Sequence, residues 1–323
     1  MQNKEFLVSV IVTAFNQADT ISQTLESILS QECNFQFEIL IGDDCSMDGT
    51  RDICIDYQKK YPDIIRPLFH KTNVGVATNF VLCVKEAKGE YIAVCAADDY
   101  WHNLNKLQLQ VDYFNSHPDC GFLYTDYDKL HVKKNRITDS FLKTSGKRIY
   151  EGTGLMKDVF QGRFPALTLT VMFRKSLFDK YIPWQDYINY QFTLEDWPTW
   201  LIFAKYTSVG YLPISTGTYR YGHESISNIK NYDKAENRLL NEQRMYKYLC
   251  DRFPEDLGYD EKGYYTYIYN VLLELTFRKG DYGKAREYVK RLKELGSYKG
   301  RAMFAGNMFT FYLLVLFKYI KRK

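Results

Sequence analysis

The first hundred residues alternate between short apolar strands and amphipathic helices. Val8 to Ala14 is a nearly continuous β-branched run, which is typical of a strand buried on both faces, and apolar residues at helical spacing follow it. The same order returns with strands predicted at Phe37 to Ile41, near Ile64 to Phe69, and at Tyr91 to Ala97. Strands that alternate with helices in this way predict an α/β fold with a mostly parallel central sheet.

The pattern becomes less regular after the first hundred residues. Strands are predicted at Gly121 to Thr125, Leu167 to Phe173 and Val209 to Leu212, and a helix begins near Leu194. The basic stretch from Lys129 to Lys147 is typical of a loop or hairpin. These elements indicate a mixed continuation of the same domain.

From Asp233 onward the apolar spacing is purely helical. We therefore predict an α/β domain over residues 1–228, an all-helical extension over 229–300, and a C-terminal helix over 301–323. Polar interruptions leave that last helix short of the about 20 apolar residues that a membrane span needs. Its basic end favours peripheral contact of residues 303–323 with a membrane, and docking against protein or a true span are the alternatives.

Composition narrows the class of protein. The hydrophobic fraction of 46% and the charged fraction of 25% are typical of folded globular proteins, and a net charge of +4 is too small to indicate a nucleic-acid partner. The seven cysteines include no C-x-x-C pair, so they indicate buried thiols in a reducing compartment. The apolar stretch from Phe6 to Phe15 has no basic leader, and we expect a cytoplasmic protein, peripheral on the inner face of the cell membrane.

Two pairs of adjacent aspartates follow predicted strands, where open α/β sheets bind ligands. They are Asp43–Asp44 and Asp98–Asp99. Adjacent like charges repel unless a cation or hydrogen-bond donors offset them, and Mg²⁺ or Mn²⁺ prefers such oxygen ligands together with substrate phosphates. The alternative is that these aspartates cap helices or form turns.

Several segments in register resemble the family 2 glycosyltransferases, which have the GT-A fold. The resemblance covers about residues 6 to 228. It implies inverting transfer of a sugar from a nucleotide diphosphate sugar, most simply a UDP-sugar, to the hydroxyl of a glycan or lipid-linked acceptor. Cell-surface polysaccharide or glycolipid biosynthesis is the implied setting. The segments are VSVIVTAFN (8–16), IGDDCSMDGT (41–50), NVG (73–75), GEYIAVCAADDYW (89–101), LEDWPTW (194–200) and YRYGHESIS (219–227).

The resemblance assigns donor binding to the ends of the first two strands. Thr13 and Phe15 would cradle the nucleobase and stack on it, with Asn16 beside them. Asp44 would accept hydrogen bonds from the base or the ribose. Trp101 lines the sugar pocket or packs under the loop, and the sequence favours neither.

The resemblance also implies a metal site and a general base. Asp98 and Asp99 occupy the place of the D-x-D motif, one contacting the ribose and one binding Mg²⁺ or Mn²⁺, and the assignment between them stays open. Asp196, with Glu195 beside it, matches the base that deprotonates the acceptor hydroxyl. His223 is one position later than the usual histidine of the closing segment, as a candidate metal or phosphate contact.

Two other functions compete with the transferase. A nucleotidyltransferase also places carboxylates and metal at strand ends, but TAFNQADT (13–20) has neither the glycines nor the Lys or Arg of a phosphate loop. A nucleotide-sugar binding protein without catalysis is motivated by Ala96, which stands where the family often has an acidic residue.

Overall fold

The computed structural model of the chain describes residues 6–222 and 232–296. Its contacts divide the chain into two compact units, Met1–His223 and Glu224–Lys323. Each unit is described by itself below. Residues 301–323, for which a C-terminal helix was predicted, lie outside the described residues.

One mixed sheet forms the centre of the first unit. In the described residues its order is β3-β2-β1-β4-β8-β6-β9-β5, with β7 paired to β6, for strands β1 (Val8–Ala14), β2 (Phe37–Asp43), β3 (Ile65–Phe69), β4 (Tyr91–Val94), β5 (Tyr100–Trp101), β6 (Cys120–His131), β7 (Arg136–Thr138), β8 (Met172–Arg174) and β9 (Ser208–Tyr221).

The first four strands along the sheet are parallel, as the sequence predicts. β1 pairs with β2 and with β4 in parallel register, and β2 pairs in parallel with β3. β8 runs antiparallel between β4 and β6, and β6 pairs in parallel with β9. Since β6 is antiparallel to β8, it points in the same direction as β1. The carboxyl ends of β1, β2, β4, β6 and β9 therefore meet at one edge, called here the carboxyl edge.

Helices cover the two faces of this sheet. They are α1 (Ile21–Leu29), α2 (Thr50–Lys60), α3 (Val76–Glu86), α4 (Lys106–Ser116), α5 (Phe141–Thr144), α6 (Met156–Phe160), α7 (Lys175–Tyr181), α8 (Trp184–Asn189) and α9 (Asp196–Tyr206). Six of the seven residues of β1 are buried, because α1 packs Ile21, Leu25 and Ile28 onto one core with them. Burial on this scale is the main stabilising contribution to such a fold.

Several strand predictions differ from the structure. The strands predicted at Gly121 to Thr125 and Val209 to Leu212 are longer, because β6 is Cys120–His131 and β9 is Ser208–Tyr221. The segment Leu167 to Phe173 was predicted as one strand, but Thr168–Thr170 is a 3₁₀ turn and the strand begins at Met172. The Thr170 hydroxyl donates back to the Leu167 carbonyl over 2.7 Å, which closes that turn. The strand predicted at Tyr91 to Ala97 ends at Val94, and the following residues bend into the loop that carries the aspartate pair.

The second unit is helical in its described residues, as predicted. It contains α10 (Tyr232–Arg252), α11 (Glu261–Lys279) and α12 (Tyr282–Glu294). α11 and α12 share an apolar cluster that includes Leu272, Tyr288 and Leu292, and Leu239 of α10 joins it. No helix among the described residues is both long and apolar enough to cross a bilayer.

Candidate active site

The loop after β1 holds the predicted nucleobase contacts at the carboxyl edge. Phe15 is 47% exposed, so its ring is available for stacking. Asn16 has φ of 53°, in the left-handed region that asparagine tolerates. Its backbone N–H donates to Ser46 Oγ and its side-chain oxygen accepts from the Met47 N–H, both over 2.9 Å. Asn16 therefore pins this loop against the loop after β2.

The two aspartates at the end of β2 have separate partners. Asp43 is buried, and its Oδ2 accepts from Arg51 Nε over 2.7 Å, so a guanidinium offsets this charge. The carboxylate of Asp44 is also buried and accepts two backbone N–H groups, from Val74 at 2.6 Å and Gly75 at 3.0 Å. Asp44 thus anchors the loop that begins α3, a role beside the predicted contact with base or ribose.

The loop that carries Asp98 and Asp99 lies against α1 at the same edge. The Thr24 hydroxyl donates to the Asp99 carbonyl over 2.6 Å, and the Ala97 N–H donates to the Thr13 carbonyl over 3.0 Å. Asp99 is buried and Asp98 is half-buried. Burial raises the pKa of Asp99 well above its ordinary value, and the charge of Asp98 adds to this effect. Two carboxylates in this setting would gain from a cation.

Arg220 is a contact of this loop that the sequence reasoning missed. Its backbone N–H donates to Asp99 Oδ1 over 2.8 Å, and its Nη1 donates to the Asp98 carbonyl over 2.5 Å. Its Nη2 donates to Gln23 on α1, and the guanidinium stacks over Tyr100 at 4.7 Å. The segment YRYGHESIS (219–227) contains this arginine three positions before His223, near the end of β9.

Asp196, predicted as the general base, and its neighbour Glu195 lie at the start of α9. The side chain of Asp196 accepts from the Trp197 N–H over 2.7 Å, and the Glu195 carbonyl accepts from the Thr199 hydroxyl over 2.5 Å. Burial is the main cause that raises the pKa of Glu195, and the charges of Asp196 and Asp98 add to it. The Asp98 loop and the start of α9 therefore lie within electrostatic reach of each other.

The metal assignment can be compared with the side chains that gather here. No group of three or more His, Cys, Asp or Glu side chains that could hold a metal is found within the described residues. His223 lies outside those residues. Asp98 and Asp99 supply the hard oxygen ligands that Mg²⁺ or Mn²⁺ prefers, and such ions are commonly held by one or two carboxylates plus phosphates. The pair fits a metal whose remaining ligands come from a diphosphate.

Trp101 packs in the core instead of lining a pocket. It is buried, and its Nε1 donates to the Leu169 carbonyl over 2.9 Å. Lys106 lies over its ring with Nζ at 4.8 Å from the centroid, and it donates to Gln110 Oε1 over 2.5 Å. Burial lowers the pKa of Lys106 to about 7.

The sequence model described as "Glycosyl transferase family 2" matches residues 9–181, more than half of the chain. The chain belongs to this family. Its described sheet and covering helices are those of the GT-A fold. The family 2 segments identified in the sequence supply β1, β2, β4 and the start of α9, so the motifs and the carboxyl edge coincide.

Sequence relatives of the chain include proteins named as glycosyltransferases. The putative teichuronic acid biosynthesis glycosyltransferase TuaG of Bacillus subtilis is 32% identical over 232 residues, which cover 71% of this chain and 85% of that protein. The Escherichia coli UDP-Glc:alpha-D-GlcNAc-diphosphoundecaprenol beta-1,3-glucosyltransferase WfaP is 36% identical over 41% of this chain and 49% of its own length. The chain spans about a third of the length of mycobacterial relatives that it matches at 38% identity.

Solved structures share the fold at low sequence identity. Staphylococcus aureus TarS 1-349 in complex with UDP-GlcNAc matches with a TM-score of 0.54 and 17% identity, over 91% of this chain and 93% of that chain. The mannosyltransferase PcManGT of Pyrobaculum calidifontis, in complex with GDP-Man and Mn²⁺, matches with a TM-score of 0.53 and 14% identity, over 98% and 80% of the two chains. The likeness to these structures supports the GT-A fold for this chain.

Proposed function

We propose that this family 2 protein is an inverting glycosyltransferase that moves a sugar from a UDP-sugar to the hydroxyl of a glycan or lipid-linked acceptor. The observation that carries the proposal is the Asp98–Asp99 loop at the carboxyl edge, which the Thr24 hydroxyl and the Arg220 backbone N–H hold in place. This loop would hold the donor diphosphate, and Asp196 at the start of α9 would face the acceptor. The alternatives, a nucleotidyltransferase or a protein that only binds nucleotide sugars, predict no sugar transfer.

On the donor side, the exposed ring of Phe15 would stack on the base beside Thr13. Asp44 would keep the loop at Val74 and Gly75 in position while a free lone pair of its carboxylate meets the nucleoside. Asp98 and Asp99 would hold Mg²⁺ or Mn²⁺ together with the diphosphate. A divalent ion there would neutralise the charge that develops on the leaving group. The UDP-GlcNAc complex of TarS and the Mn²⁺ complex of PcManGT support this choice of ligands.

On the acceptor side, Asp196 would accept the proton of the attacking hydroxyl. A carboxylate in this role contributes roughly 10²- to 10⁴-fold to the rate. Attack on the face opposite the diphosphate makes one in-line displacement, which inverts the anomeric carbon. Burial, with the charges of Asp196 and Asp98, raises the pKa of Glu195, so a neutral Glu195 would leave Asp196 as the one charged carboxylate of the pair.

The setting of the reaction follows from the relatives. WfaP is named for an acceptor carried on diphosphoundecaprenol and TuaG for teichuronic acid, which supports a cell-surface polysaccharide or glycolipid product here. A cytoplasmic enzyme with peripheral membrane contact through residues 303–323 would reach such an acceptor.

A binding and a transfer assay test the proposal together. A UDP-sugar at about 100 times its Kd should stabilise the protein by about 2.7 kcal/mol, and Mn²⁺ should be required. Asp99→Asn should remove this stabilisation. Asp196→Asn should keep it, because asparagine can still accept from the Trp197 N–H, but should lower transfer by at least about 100-fold. Asp56→Asn, an exposed aspartate on α2, is the matched control and should change neither.

Each outcome separates the hypotheses. Near-normal transfer by Asp196→Asn would show that another group is the base. Donor binding without any transfer would favour the binding protein that Ala96 suggests. Release of pyrophosphate from a nucleoside triphosphate and a sugar phosphate would favour the nucleotidyltransferase.

A further inference from the structure

The positive charge of the chain is concentrated in one short segment, residues 129–148, called here the basic hairpin. It contains seven Lys or Arg residues and one acidic residue, Asp139, for a net charge of +6. The whole chain carries +4, so everything outside the basic hairpin sums to −2. The seven are Lys129, Lys133, Lys134, Arg136, Lys143, Lys147 and Arg148. The net positive charge of the chain therefore comes from the basic hairpin.

The outer half of the basic hairpin projects its side chains into solvent. β6 and β7 pair antiparallel, with His131 opposite Arg136, and Asn135 at φ of 44° closes the turn between them. Every residue from 132 to 137 is exposed. Within the described parts of the chain, the side chains of Lys133, Lys134, Arg136 and Lys143 form no ion pair. These charges are therefore available to a partner.

Two β-branched aliphatic residues stand among these cations. Val132 is 42% exposed and Ile137 is 50% exposed. A nucleic acid or another polyanion would pair with the cations but would leave the side chains of Val132 and Ile137 exposed to water. A bilayer surface offers anionic headgroups to the cations and an apolar layer to Val132 and Ile137. The combination favours a lipid surface.

The basic hairpin adjoins the candidate active site through the sheet. β6 pairs in parallel with β9, so Leu130 lies opposite Arg220 and His131 opposite Tyr221. The Arg220 N–H in turn donates to the Asp99 carboxylate. The hairpin thus begins one strand away from the residue that contacts the aspartate loop, at the carboxyl edge.

We propose that the basic hairpin docks the carboxyl edge onto an anionic membrane surface. Lys133, Lys134 and Arg136 attract the headgroups, and Val132 with Ile137 enters the interface between them. The role of this docking rests on the proposed function. If the protein transfers a sugar to a lipid-linked acceptor, docking would place the candidate active site at the membrane surface that carries the acceptor. The binding itself requires no transfer activity.

Vesicle co-sedimentation of the full chain tests this docking. The protein should bind vesicles of phosphatidylcholine mixed with phosphatidylglycerol and should bind phosphatidylcholine alone far more weakly, with an affinity that falls as salt rises. The triple variant Lys133→Gln, Lys134→Gln, Arg136→Gln should bind the anionic vesicles on the order of 100-fold more weakly, since each surface cation contributes about one factor of five. The pair Val132→Ser, Ile137→Ser should weaken binding roughly 10-fold.

The matched control removes the same charge from the opposite edge. Lys59 and Lys60 end α2, and Lys88 precedes β4, so all three lie where the strands begin. The variant Lys59→Gln, Lys60→Gln, Lys88→Gln should bind anionic vesicles like the wild type. Residues 303–323 are present in every protein of this set, so they cannot produce a difference between the two triple variants.

Three results would overturn the docking proposal. They are equal binding by the two triple variants, equal binding of the wild type to neutral and anionic vesicles, and retention on heparin that depends on the three cations while vesicle binding does not. Donor-induced stabilisation, measured without vesicles, separates this proposal from the proposed function. Hairpin variants should retain it, whereas a protein that docks on vesicles but binds no UDP-sugar would contradict the function alone.

Discussion

Asp44 offers the sharpest test of how the candidate site is held together. Its carboxylate accepts the Val74 N–H at 2.6 Å and the Gly75 N–H at 3.0 Å, one on each oxygen. In Asp44→Asn one oxygen becomes an amide nitrogen, which turns a donor toward a backbone donor. The variant loses one charge-assisted bond and weakens the other, because the remaining acceptor is neutral.

The expected cost follows from these two bonds. A hydrogen bond to a charged group contributes about 1.5–3 kcal/mol, and a buried donor left without a partner costs about 1–3 kcal/mol. Val74 and Gly75 are half-buried, so water offsets part of that cost. We expect Asp44→Asn to lower the free energy of unfolding of the first unit by about 2–3 kcal/mol, which corresponds to a Tm roughly 5–10 °C lower.

Tryptophan fluorescence is the appropriate assay, because all four tryptophans lie in the first unit, at positions 101, 184, 197 and 200. Denaturant unfolding followed by this signal reports on the sheet that carries Asp44. Asp56→Asn is the control, since its exposed ion pair with Lys59 is worth less than about 1 kcal/mol. An unfolding midpoint for Asp44→Asn equal to that of the control would refute the anchoring role. Donor affinity should be compared well below the Tm, so that loop release and a lost nucleoside contact are not confused.

Two further substitutions test buried cations near the site. Burial lowers the pKa of Lys106 from its ordinary 10.5 to about 7. Between these two pH values the lysine is protonated in the unfolded chain and neutral in the folded protein. The free energy of unfolding of the wild type should therefore rise with pH in this range. Lys106→Met should lack that gain and should be at least as stable as the wild type at pH 7. Denaturant unfolding at pH 7 and pH 9 measures the free energy of unfolding of both proteins. If it changed by the same amount between the two pH values in wild type and variant, the account would be wrong. Arg220→Met loses the side-chain hydrogen bonds to the Asp98 carbonyl and to Gln23 but keeps the backbone N–H bond to Asp99. We expect its affinity for the UDP-sugar, measured by titration calorimetry, to fall about 10-fold, and that of Arg220→Lys to be intermediate. Unchanged affinity in Arg220→Met would show that Arg220 does not position the loop.

Local patterns predicted the part of the fold whose neighbours are close in sequence. β1 has the bounds that its β-branched run indicates, because a strand buried on both faces needs an unbroken apolar stretch. Leu167 to Phe173 shows where this reasoning fails. Thr170 bends the chain by bonding back to Leu167, and its carbonyl accepts from Gln110 on α4, a partner 60 positions away. Such a partner leaves no trace in the local pattern.

The sequence by itself determined the α/β order, the family, and the positions of the aspartates at strand ends, because periodicity and motif spacing are properties of neighbouring residues. Tertiary structure decided which charges have partners. It pairs Asp43 with Arg51, gives Asp44 two backbone donors, and brings Arg220 to the loop of Asp98, 122 positions earlier. It also brings the basic hairpin next to that loop through the register of β6 and β9. Hydrogen bonds and Coulomb interactions depend on distance in space, and only the folded sheet sets those distances.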